Sequence, residues 1–223
     1  MSIDALLDRN RKWVEAHTRD DPDFFHRLAA THAPHTLWIG CSDARVPANV
    51  VTGTEAGEMF VHRNIANQVV ATDNNLLAVV QYAVEVLGVQ DVIVCGHEEC
   101  GGIRAALDAQ APAHVESWLA HVRTVARLHA EELLALPSEQ RVRRLVELNV
   151  REQVFNLARL PVIQHAWAAG TALRLHGWVY GLHDGLLRNL GVTLDGAVQA
   201  IDPSLAPPSR SGHRRQSAPF IRD

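Results

Sequence analysis

Residues 73–102 read DNNLLAVVQYAVEVLGVQDVIVCGHEECGG, and two periodicities inside this stretch decide the fold. Leu76, Leu77, Val79, Val80, Ala83, Val84 and Leu87 recur at helical spacing. Asp73 suits an N-cap and Gly88 a helix stop. Residues 91–95, DVIVC, then form an unbroken apolar run bounded by turns, the pattern of a strand covered on both faces. A glycine-bearing turn leads into another helix.

Working outward, residues 36–41 (TLWIGC) and 59–63 (MFVHR) read as two further short strands, the second following turns at Gly53 and Gly57. Strand, helix, strand and helix in this order follow the grammar of a βαβ unit. Beyond it, residues 114–134 and 138–160 are expected to be helical, with Pro137 between them. Residues 173–180 (LRLHGWVY) read as another strand. Two amphipathic helices over 3–17 and 23–30, parted by Asp21-Pro22, form an N-terminal helical arm of about 1–34 that Pro34 ends. The stretch 203–223 is rich in Pro, Ser and Arg and reads as a mobile tail. A single α/β domain over 1–202 is the expectation.

At 223 residues the chain can bury one proper core, and 47% hydrophobic with 21% charged residues is ordinary for a globular protein. A net charge of −4 gives no electrostatic case for nucleic acid or an anionic membrane. The charged opening residues do not fit a secretory leader. Gln81 and Glu85 interrupt the most apolar helix, so no bilayer span is expected. Three cysteines, an odd number, argue against a disulfide framework and for a cytoplasmic location.

Chemistry gathers at two places. Residues 37–46, LWIGCSDARV, carry Cys41, Asp43 and Arg45 at alternate positions, which share one side if the chain stays extended. Residues 95–102, CGHEECGG, place His97 and Cys100 three apart in a turn entering a helix. Both groups stand at carboxyl ends of expected strands, where open α/β sheets collect functional groups. Each Cys or His alone is an ordinary core residue, and Cys95 inside its apolar run is read that way. Together Cys41, Asp43, His97 and Cys100 make a full tetrahedral set for Zn²⁺, which sulfur ligands favour over magnesium or calcium.

Other thiol chemistries fit less well. A Cys-x5-Arg phosphatase loop needs Arg where Pro47 stands, and Cys95 and Cys100 are too far apart for Cys-x-x-Cys. His97-Glu98-Glu99 matches the H-x-E of zinc deaminases, but no P-C-x-x-C follows. Cys–His nucleophilic catalysis stays open, although it leaves Arg45 and Cys100 without a task. Arg45 offers Asp43 a bidentate partner, so the carboxylate can leave the metal and open a position for water. Two thiolates lower the pKa of metal-bound water less than imidazoles do, so such an enzyme favours alkaline pH.

C-x-D-x-R followed by H-x-x-C-G-G resembles the β-class carbonic anhydrases, which interconvert CO2 and bicarbonate. CSDARVP, FVHRNIAN, VVQYAVEVLGV, CGHEECGG, ELNVREQV and HGWVYGLHDGLL resemble family segments in family order, over residues 10–192. The resemblance implies a mostly parallel sheet of about four strands flanked by helices. It implies one Zn²⁺ per chain on Cys41, His97 and Cys100, with Asp43 as fourth ligand in a closed form. In the open form Asp43 would pair with Arg45 and orient zinc-bound hydroxide towards CO2, making these two the catalytic residues. It also implies a homodimer or homotetramer whose N-terminal helices embrace the neighbour. A family subgroup is inhibited by bicarbonate at a separate site, and Trp38, Arg63 and Tyr180 stand where that subgroup has its Trp, Arg and Tyr. Two alternatives share the same zinc centre: a CS2 or COS hydrolase, and a non-catalytic zinc-stabilised bicarbonate-binding protein. Asp43 and Arg45 speak against the second.

Overall fold

Alternating strand and helix signals become one five-stranded sheet in the computed structural model, which describes residues 2–196. The strands are β1 (Thr36–Cys41), β2 (Met59–Asn64), β3 (Asp91–His97), β4 (Arg174–Tyr180) and β5 (Leu187–Leu194). Their order is β2-β1-β3-β4-β5, with the first four parallel and β5 antiparallel to β4. The sheet is therefore mostly parallel, as expected, with β5 added to the four. The two ligand-bearing strands, β1 and β3, are direct neighbours, with Gly40 opposite Cys95.

Before and within the sheet run helices α1 (Ile3–Asp20), α2 (Phe24–Ala30), α3 (Ala48–Thr52), α4 (Asn74–Gln81) and α5 (Gly101–Asp108). Then come α6 (Ala113–Trp118), α7 (Ala120–Leu128), α8 (Ala130–Ala135), α9 (Ser138–Ala158) and α10 (Pro161–Ala168). The main core lies between the sheet face carrying Leu37, Ile39, Val92, Val94 and Leu175 and the buried stripe Leu145, Val150, Val154 and Leu157 of α9. A Cβ on Gly96 would fall 2.7 Å from Val150 Cγ2, so only glycine lets α9 pack this closely beside the site. The opposite face holds a smaller cluster around Trp38, Val46, Ala48, Ile93 and Cys95.

Three local expectations change. The helix expected over 114–134 is three short ones, α6 to α8, which turn at Leu119 and His129. Bending lets Leu119, Val122, Val125 and Leu133 all reach the core. The helix beginning at Asp73, whose side chain caps Asn75 N, passes into a single π-helical turn over Tyr82–Val86. α10 and β5 lie where no element was anticipated. The arm expected over 1–34 is present as α1 and α2, held together by Trp13 against Phe24 and Phe25 and by His17 against Phe24. The tail expected over 203–223 lies outside the described residues.

Candidate metal centre

Cys41 is the last residue of β1, His97 the last of β3, and Cys100 immediately precedes α5. Two parallel neighbours with matched ends thus deliver their groups to one point. The two Sγ atoms lie 3.9 Å apart, and one ligand atom from each of the three residues falls within 4.8 Å of the others. All three residues are buried. Sulfurs about 2.3 Å from a single tetrahedral ion stand about 3.8 Å apart, so the spacing fits a metal. His97 Nδ1 is anchored 2.8 Å from Glu98 O, which leaves Nε2 buried with no hydrogen-bond partner among the described residues. Glu99 adopts φ +55°, a left-handed turn that brings Cys100 back beside His97.

The two sulfurs are shifted in opposite directions. Sharing a proton with Cys100, together with His97 and the Ala66 and Asp43 N–H groups, holds Cys41 well below the usual thiol range despite burial. The same sharing pushes Cys100 up, and burial adds to it, while the Ile103 and Gly102 N–H groups at the start of α5 pull the other way. Burial lowers His97, but its contact with Cys41 outweighs this and raises it. Burial pushes the Cys95 thiol up, and it donates to its neighbour Gly96 O at 3.2 Å.

Asp43 and Arg45 meet differently from the extended-chain expectation. The chain turns at Ala44 and Arg45, with Val46 N donating to Asp43 O at 3.1 Å. Alternation therefore does not place Cys41, Asp43 and Arg45 on one side. An Asx turn does the work instead: Asp43 Oδ1 accepts from Arg45 N (3.0 Å) and Nε (2.9 Å), and Oδ2 accepts from Nη2 (2.7 Å). Arg45 also donates to Glu99 O at 3.3 Å, bridging the two ligand loops. The Arg45 guanidinium holds the Asp43 carboxyl well below the usual carboxylate range. Asp43 Oδ2 lies 3.7 Å from His97 Nε2, beside the ligand set and paired with arginine.

A family model described as carbonic anhydrase matches residues 36–187. A solved tetrameric β-carbonic anhydrase from Sordaria macrospora is 40% identical, with a TM-score of 0.82 over 85% of this chain and 97% of that one. This chain belongs to the β-class carbonic anhydrases. A carbonic anhydrase from Emericella nidulans is 44% identical over 199 residues, 89% of this chain and 87% of that protein. The Coccomyxa β-carbonic anhydrase, solved with acetazolamide, is 35% identical with a TM-score of 0.84, covering 89% of this chain and 91% of that one. No helix among the described residues is long and apolar enough to cross a membrane.

On this β-carbonic anhydrase sheet, strand register puts Trp38, Arg63 and Tyr180 on the face opposite α9. Arg63, paired with Gly40, donates to Cys41 O (2.8 Å) and Asp43 O (2.5 Å), bracing the ligand loop. The Trp38 indole lies over Gly40, and its buried N–H has no partner among the described residues. Tyr180, opposite His97, packs on the Trp38 cluster. Two further residues support the site without belonging to the ligand set. A Cβ on Gly102 would lie 2.8 Å from Ile65 Cγ2, so the second glycine of the motif admits the Ile65–Ala66 turn, whereas Gly101 faces open space. Nothing in composition marks Ala66, whose N–H is directed at Cys41.

Proposed function

We propose that this chain catalyses the reversible hydration of CO2 to bicarbonate and a proton, with one Zn²⁺ per chain held by Cys41, His97 and Cys100. The observation that carries the reading is two buried sulfurs 3.9 Å apart facing the unpartnered His97 Nε2, with Asp43 clamped alongside by Arg45. Zinc in such a set supplies the nucleophile by lowering the pKa of water. The chain contributes orientation. Asp43, kept ionised by Arg45, stands 3.7 Å from His97 Nε2, where it accepts a hydrogen bond from the nucleophile and aims it. Turned away from Arg45, the same carboxylate would be able to serve as a fourth ligand and close the site.

Bicarbonate regulation is part of this reading. An anion drawn to Arg63 and the free Trp38 N–H competes with the carbonyls of Cys41 and Asp43 that Arg63 now holds, and Tyr180 supplies a hydroxyl on the same face. That competition releases the Asp43 loop towards the closed form. Arg63→Ala is expected to weaken inhibition by bicarbonate; an unchanged bicarbonate response would exclude the site.

Three free cysteines favour a reducing, cytoplasmic compartment. The relative from Sordaria macrospora is tetrameric. The exposed apolar face of α1 supports a homodimer or homotetramer here as well.

Metal analysis combined with stopped-flow CO2 hydration across pH tests the activity. About one zinc per chain and rates that climb from neutral to alkaline pH are expected, because two thiolates soften the metal's effect on water. Equal or greater activity at mildly acidic pH, or turnover of COS or CS2 exceeding that of CO2, would overturn it.

A further inference from the structure

The segments FVHRNIAN and ELNVREQV have no task in the mechanism above beyond Arg63, yet they meet in the interior beside the metal centre. Their meeting point is Ala66, fully buried and held at φ 61°, ψ 29°, a left-handed conformation that non-glycine residues rarely adopt. Both peptide planes flanking it are pinned by side-chain donors. Ile65 O accepts from the Trp118 indole N–H at 2.8 Å. Ala66 O accepts from Gln68 Nε2 at 2.6 Å and from Asn149 Nδ2 at 3.1 Å.

These donors are themselves fixed. Asn149 Oδ1 accepts from Gln68 Nε2 (3.0 Å) and Gln153 Nε2 (3.1 Å), and Gln153 Oε1 accepts from Val69 N (2.8 Å). Gln68, Asn149 and Gln153 are at most 1% exposed. Three parts of the chain therefore converge on one residue: α6, the turn after β2, and α9. A peptide N–H and the preceding carbonyl point in opposite directions across one plane. Pinning Ile65 O to Trp118 thus aims the Ala66 N–H the other way, towards Cys41 Sγ.

We propose that Trp118, Gln68 and Asn149 are positioning residues that hold the Ala66 N–H on the Cys41 sulfur and so set how strongly that thiolate donates to the metal. The inference rests on the zinc reading above. A hydrogen bond to a ligating sulfur draws charge from it, leaving the metal a stronger Lewis acid and its water more acidic. Such a bond offsets part of the handicap of a two-thiolate site.

The test uses the full chain loaded with Co²⁺ for spectroscopy and with Zn²⁺ for kinetics. Trp118→Phe keeps the aromatic packing and removes only the donor; Gln68→Met and Asn149→Leu remove the donors to Ala66 O. Each variant is expected to move the thiolate-to-cobalt charge-transfer band to lower energy. The pH midpoint of kcat/KM should rise, and kcat/KM at neutral pH should fall roughly 10-fold. Val154→Ala, a cavity elsewhere in α9, serves as control: it lowers Tm and leaves band and midpoint in place. Variants that lose Tm as this control does, with band and midpoint at wild-type positions, overturn the proposal. Should Asn149→Leu fail to fold, Trp118→Phe decides alone. A wild-type chain that takes up no cobalt would instead overturn the metal reading, and the proposal with it.

Discussion

Arg45 does three things with one planar group: it grips both oxygens of Asp43, reaches the carbonyl of Glu99, and leaves half of itself in solvent. Lysine carries the charge without the fork, so Arg45→Lys separates charge from geometry. It is expected to retain zinc while kcat/KM falls about 10- to 100-fold, the range typical of lost outer-shell partners. Metal analysis alongside stopped-flow rates checks this, and an undiminished rate would show that charge alone suffices. At this scale legibility follows residue chemistry. Cys41, His97, Cys100, Asp43 and Arg45 could be read because their side chains are rare and reactive. The left-handed Glu99 and Ala66 could not, because neither residue type signals that conformation and only the surrounding contacts impose it.

At the scale of elements, the starts of β3 and β4 are tied by a polar group far from the metal. Asp91 accepts two bonds from Arg174 (2.8 and 2.9 Å) and pairs with His176 Nε2 at 2.9 Å, while His176 Nδ1 meets Thr193 of β5 at 3.1 Å. Burial raises the Asp91 pKa, but Arg174 and His176 outweigh it and the net shift is downward. A carboxyl with a depressed folded-state pKa stabilises above its unfolded value near 3.9 and loses that contribution as pH falls through its folded value. Asp91→Asn should therefore cost roughly 1 kcal/mol at pH 7, discounted for the exposed Arg174. Urea unfolding should show the gap shrinking at pH 3; a constant gap would contradict the assignment. The parallel strands were legible because coverage on both faces demands unbroken apolar runs such as DVIVC. β5 was not, since it is a part-exposed edge strand broken by Gly191 at φ +70° and joined through a register shift. The bends between α6, α7 and α8 follow from the shape of the core they cover, which local periodicity does not contain.

For the whole molecule, the unusual part is the arm. α1 buries none of its residues, and Ile3, Leu6, Leu7 and Trp13 are 76%, 50%, 55% and 42% exposed. An 18-residue helix with this apolar stripe gains little from its own chain beyond the aromatic contacts with α2. The homo-oligomer proposed above would cover this stripe with a neighbouring copy. Leu6→Asp with Trp13→Asp should weaken self-association by about 1.5–3 kcal/mol per side chain, or roughly 10- to 100-fold each. Light scattering across a dilution series reads this directly, and an unchanged mass would place the interface elsewhere.

The matched ends of β1 and β3 carry one more consequence. Neighbouring strands stand about 4.8 Å apart wherever a ladder forms, and the three donor atoms fall within 4.8 Å of one another. The backbone ladder fixes where β1 and β3 end, and the apolar core behind it holds those ends in place. An ion held by these donors would thus sit at the end of the sheet, on groups fixed by strand ends rather than by a free loop alone. Among ions, two sulfurs and one nitrogen would favour a soft dication over magnesium or calcium.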